Sequence, residues 1–132
     1  MSFVVSIRIG AILAAIAVAI GAFTAHLLKD KLTPDLLEIM KTGATYQFYH
    51  SIAILLVGVL QLVANRKHLS FISSFFFAGI LLFSGSLYAL VYIKYAELIA
   101  WQKIGIVTPI GGLCFLAGWL GLAFLYSSRN EK

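Results

Sequence analysis

The sequence is short of charge. Among 132 residues there are five acidic and ten basic side chains, 11% in all, where a soluble domain carries about a quarter. A chain this poor in charge and 61% hydrophobic cannot cover itself with polar surface, so a soluble globular fold is excluded. The acids are also missing from every long apolar run: Asp30, Asp35, Glu38 and Glu97 lie in connections, and Glu131 lies in the C-terminal tail. Their absence excludes a Ser/His/acid triad within a membrane. It argues equally against a carboxylate-bearing zinc or di-iron site and against proton-coupled export of cations. The single cysteine, Cys114, lies in an apolar stretch, so no intramolecular disulfide forms and the thiol packs as a small hydrophobe. The basic residues form no cluster, which leaves no footprint for nucleic acid and fits anchoring at lipid headgroups. Gly111-Gly112 is followed by no Lys-Ser or Lys-Thr pair, so Pro109 and these glycines read as a closely packed helix start rather than a phosphate loop.

What the chain does have is length of apolar sequence. A membrane-spanning helix needs roughly 20 predominantly apolar residues, and four stretches qualify: 9–28, 46–64, 71–93 and 104–126. Lipid satisfies no backbone hydrogen bonds, so spanning elements are helices or closed barrels, and these runs lack the alternation of barrel strands. The expectation is an all-α integral membrane protein, one four-transmembrane-helix bundle occupying residues 1–132. Arg8 followed by Ala17-Val18-Ala19 resembles a signal peptide with its cleavage site, but apolar sequence continues to Leu28, so an uncleaved first span is the simpler reading.

Small residues line one face of the first span at Gly10, Ala14, Ala17 and Gly21. The fourth repeats the device at Gly111, Cys114, Gly118 and Gly121, and the third has a sparser version at Ala78, Gly85 and Ala89. Such stripes let backbones approach closely, which predicts tight helix packing. Between the first two spans, Thr33-Pro34-Asp35 is a helix start, with a capping side chain, proline at the first position and an acid at the positive end. Residues 34–44 then divide into an apolar and a charged side. They are expected to form a short interfacial amphipathic helix that either bends at Gly43 or runs on into the second span.

Four spans put both termini and a polar turn at Asn65 to His68 on one side, here the first side; the other two connections share the second. Tyr95 and Trp101 suit the aromatic belt there. Lys and Arg number five on each side, so charge does not decide orientation; cytoplasmic termini in the cell membrane are the working expectation.

Polar residues inside the spans are costly and call for a partner or a task. His26, Tyr46, Gln47, His50, Ser84, Ser86, Tyr88 and Thr108 are all expected within roughly 10 Å of the second side by helical rise, with the remaining depth nearly pure hydrocarbon. They form either a binding cleft near one membrane face or an interhelical hydrogen-bond network. His26 and His50 invite a bis-histidine haem or metal reading, but nothing at their depth completes a site, so neither metal nor cofactor is expected. Trp119 and Gln61 read as packing and interface residues.

GAFTAH at 21–26, TGATYQFYH at 42–50, LFSGSLY at 82–88, and TPIGG at 108–112 with Gly118-Trp119 resemble the YgdD/YwdK family of bacterial membrane proteins, domain of unknown function four-two-three. The four motifs stand in order over nearly the whole chain. Thr24 is a departure, at a position where the family pattern reads glycine. The resemblance implies a four-span bundle in the cytoplasmic membrane, carries over no catalytic residue, and implies that the polar positions named above are the family's signature.

These readings together predict a non-enzymatic protein, either an accessory subunit of a larger membrane complex or a small binding module. The alternative is an oligomeric lipid or small-solute carrier, and a haem- or metal-linked membrane enzyme ranks third. Expected partners are membrane lipids and a larger complex or second copies of the chain.

Overall fold

The computed structural model describes residues 1–64 and 68–127, without the side chains of 99–102 and 125–127. The turn expected at Asn65 to His68 therefore lies outside the described residues except for His68, as does the Trp101 side chain. Five α-helices account for the spans: α1 (Phe3–His26), α2 (Pro34–Ala64), α3 (His68–Gly79), α4 (Gly85–Tyr95) and α5 (Val107–Ser127). A π turn, Ile80–Ser84, joins α3 to α4, and a 3-10 segment, Ile99–Ile106, leads into α5. Four helical units, Phe3–His26, Pro34–Ala64, His68–Tyr95 and Lys103–Phe124, are long and apolar enough to cross a membrane. Their outward surfaces carry large apolar side chains such as Val63, Phe71 and Phe124, a coat that lipid covers and water does not.

The interfacial segment is helical, but it is not a separate helix. Pro34 opens α2, the Thr33 carbonyl accepts the first N–H from Leu37 at 3.0 Å, and the helix runs through Gly43 without interruption for 31 residues. Asp35, Glu38 and Lys41 are exposed on its first turns while Leu36 is buried. At 1.5 Å per residue α2 is about 46 Å long, so its first turns stand beyond a hydrocarbon core of about 30 Å.

The helices pack in a chain of contacts. α1 lies on α2; α2 lies on α3, the π turn and α4; α5 lies on α3 and the π turn. The core between them is Ala53, Ile54, Val57, Leu69, Ile72, Phe76, Ile80 and Phe115. Small residues set the spacing where the sequence places them on a helix contact. A Cβ at Gly10 would come within 2.9 Å of the Ser51 carbonyl oxygen, one at Gly118 within 2.6 Å of Phe76, and one at Gly121 within 3.2 Å of Ile72, while one at Gly111 would strike the backbone of Phe83. Ala17 is buried and Ala14 half-buried. Gly21 is different, because nothing lies within 4 Å of its Cβ position. The α5 backbone lies closest to α3 and the π turn, and it meets α2 through large side chains, which leaves a groove along the seam between α2 and α5.

Candidate functional site

The eight polar positions separate into distinct groups. In the first, Gln47 bridges three helices: its Nε2 donates to the Leu13 carbonyl on α1 at 2.8 Å, and its Oε1 accepts from the Tyr88 hydroxyl on α4 at 3.0 Å. The Tyr88 ring covers Gly43, where a Cβ would lie 2.7 Å from Cε1. Ser51 closes its own hydroxyl onto the Gln47 carbonyl at 2.6 Å. Gln47 is buried with both ends of its amide engaged, and an amide so bridged in hydrocarbon fixes the register of the helices it joins.

The second group is a pair. The Ser86 and Thr108 hydroxyls meet at 2.7 Å, and Ser86 also donates to the Phe83 carbonyl at 2.9 Å. These bonds pin the start of α5 to α4. Ser84, at the end of the π turn, is buried, and its Oγ has no partner among the described residues.

The third group surrounds His50. Its Nδ1 lies 2.7 Å from the Tyr46 carbonyl and its Nε2 lies 3.2 Å from Nε1 of Trp119. A carbonyl only accepts and an indole N–H only donates, so Nδ1 carries the proton and Nε2 is the acceptor. The imidazole is neutral in this tautomer, and neither nitrogen is left for a metal or a transferred proton. The ring stacks on Phe115 with centroids 3.4 Å apart and planes within 9°, and Tyr46 stacks on Phe83 at 4.6 Å. Together with Tyr49 and Pro109 these residues line a groove of about 700 Å³ along the seam between α2 and α5. That volume is in the range of small-molecule sites, roughly 300–1,000 Å³.

His26 joins none of these groups. It is exposed at the last turn of α1, whereas His50 neighbours Ser51, the residue packed on Gly10. The 16 positions from Gly10 to His26 amount to about 24 Å of helix, so the structure does not bring the two histidines together. Among the described residues no three His, Cys, Asp or Glu side chains converge. Thr24, at the departure from the family pattern, is buried and donates to the Ile20 carbonyl at 2.7 Å, so its hydroxyl is satisfied within α1.

Two further features went unread in the sequence. Trp119 is half of the His50 pair and not packing alone. A tryptophan in an apolar span needs an acceptor for its N–H, and His50 is level with it once α2 is counted from Pro34. There is also polar structure away from the second side. Ser6 and Ser73 share a hydrogen bond of 2.9 Å between α1 and α3, with Gln61 reaching Ser6 at 3.5 Å. The polar groups are therefore spread along the bundle, because small hydroxyls tie helices together wherever they face one another.

A smaller groove of about 360 Å³ lies between the α1–α2 connection and α4, with Lys31, Tyr92 and Tyr95 among its lining. It differs from the α2/α5 groove in carrying a cation.

Comparison with known proteins agrees with the fold. A model of the family described as "Protein of unknown function (DUF423)" matches residues 20–112. A UPF0382 membrane protein of Haemophilus influenzae is 44% identical over 115 residues, covering 87% of this chain and 86% of the relative. One from Staphylococcus aureus is 40% identical over 116 residues, covering 88% and 89%, and YwdK of Bacillus subtilis, also a UPF0382 membrane protein, is 37% identical over 117 residues, covering 88% and 90%. No solved structure matches the chain. With four apolar helices of spanning length and matches of this extent, the chain belongs to the DUF423 family of membrane proteins.

Proposed function

We propose that this protein is a non-enzymatic binding module that holds a lipid-soluble molecule in the groove between α2 and α5. The observation that carries the reading is the groove itself, about 700 Å³ along the seam between α2 and α5, with the neutral His50–Trp119 pair in its wall. A recess of this size between helices is a usual place for a ligand. The chemistry favours holding over reacting, because both imidazole nitrogens are occupied and no acid is among the residues lining the groove. The reading includes residence in the cytoplasmic membrane with cytoplasmic termini.

The test is to purify the wild type, His50→Leu and Gln47→Leu in native lipid discs and to identify the extracted small molecules by mass spectrometry. A species held by the wild type and by Gln47→Leu, and missing from folded His50→Leu, is the expected result. A wild type that carries nothing beyond bulk lipid, with both variants merely less stable, would leave the polar residues as a helix-binding network only.

A further inference from the structure

Two grooves flank the contact of Tyr88 with Gly43, and they differ in charge. On one side the opening turns of α2 present Asp35, Glu38 and Thr42 to a groove of about 330 Å³. On the other lies the groove of about 360 Å³ beside Lys31, and among the described residues that lysine is the only charged side chain in its lining. What α2 contributes there is Met40. At 100° per residue Met40 stands about 140° around the helix from Asp35 and about 160° from Glu38, so the acids of α2 turn away from Lys31 and leave its charge to whatever enters the groove.

The groove stands where the spans end on the second side. Its walls are the connection after α1, the second turn of α2 and the last turns of α4. The connection is held through its backbone, because the N–H groups of Lys31 and Leu32 both donate to the Leu28 carbonyl at 3.0 Å. Leu28, Leu32, Met40 and Val91, all buried or half-buried, form an apolar wall beside the lysine. A lysine so placed lays its stem along hydrocarbon and carries its ammonium to the headgroup layer. Its charge acts over several ångströms and needs no single hydrogen-bond geometry.

An occupant that satisfies this lining is both negative and apolar. The volume is towards the lower end of ligand sites, enough for a headgroup and the first part of one chain. A zwitterionic headgroup brings a cation of its own, for which the groove supplies no acid. We infer that this groove binds an anionic phospholipid, its phosphodiester paired with Lys31 and one acyl chain lying on the wall of Leu28, Leu32, Met40 and Val91. The site is separate from the α2/α5 groove and stands whether or not that groove is filled.

The test is native mass spectrometry of the full chain released from neutral detergent micelles. Dioleoylphosphatidylglycerol and dioleoylphosphatidylcholine are titrated in parallel, and glycerol phosphate serves as the free headgroup. Phosphatidylglycerol is expected to bind ahead of phosphatidylcholine. Its half-saturation should rise about fivefold in Lys31→Gln, as for loss of one lysine at a membrane surface, and return in Lys31→Arg. Lys103→Gln, which removes the same charge from the same side, should leave it unchanged. Equal binding of the two lipids, or equal weakening by Lys31→Gln and Lys103→Gln, would overturn the site. Displacement of the lipid by an equal concentration of glycerol phosphate would overturn the lipid in favour of a free phosphate ester. A dimer that carries no lipid and is lost in Lys31→Gln would give the groove to a second copy of the chain and overturn the lipid as well.

Discussion

Tyr88 donates to Gln47 across 3.0 Å from a ring seated on Gly43, one helical turn away from that glutamine. The contact thus has a polar half and a steric half. The polar half predicts that Gln47→Leu and Tyr88→Phe each destabilise the bundle by about 1–2 kcal/mol. Their combined loss should be less than additive by about 0.6 kcal/mol, the usual size of such a bond in a bilayer. Unfolding in mixed micelles of the four proteins of this cycle gives the coupling directly; strict additivity would mean that the two residues act separately.

The steric half predicts a contrast between two glycines. Gly43→Ala places a methyl 2.7 Å from the Tyr88 ring and should cost about 1–3 kcal/mol through overpacking. Gly21→Ala meets nothing within 4 Å and should stabilise by up to about 1 kcal/mol through helix propensity. Thermal melts of both variants in one detergent check the signs. Equal effects would contradict the packing described.

Glu97 has φ 56°, the left-handed conformation that suits glycine. It closes α4 as a Schellman turn, with Leu98 N–H bonded to the Ile93 carbonyl at 2.9 Å and Glu97 N–H to that of Lys94 at 3.2 Å. Glu97→Gly relieves the Cβ clash and is expected to raise stability by about 1 kcal/mol. A lower melting temperature for Glu97→Gly would contradict this.

Topology is checked by labelling single cysteines in a Cys114→Ser background. Cysteines at Lys31 and Glu97 should react with an impermeant maleimide from one side, and a cysteine at His68 only from the other. Reaction of Lys31 and His68 variants from the same side is incompatible with four spans.

The spans were legible because apolar length alone defines them, and Gly10, Gly118 and Gly121 were legible because small-residue spacing maps onto a helix face. The division of the polar residues was not. Measuring depth from Tyr46 treats the second span as starting there, which lifts His50 towards the second side. In fact α2 begins at Pro34 and His50 lies near its middle, level with Trp119. Which of two neighbours on one helix faces a partner and which faces a groove depends on how α5 leans, and no periodicity in α2 records that. The π turn was equally silent, since LLFSGS is ordinary helical sequence by composition.

That π turn has a consequence for the third span as a whole. A π turn accommodates one residue more than an α turn, and each residue in a helix is worth about 100° of rotation. Below it, Phe76 faces Gly118 of α5; above it, Tyr88 faces Gly43 of α2. Ile80–Ser84 therefore acts as a phase shift between two interfaces that an unbroken helix would present at different angles. Deleting one residue there would leave a helix of almost unchanged length and hydropathy that can satisfy α5 or α2, and not both.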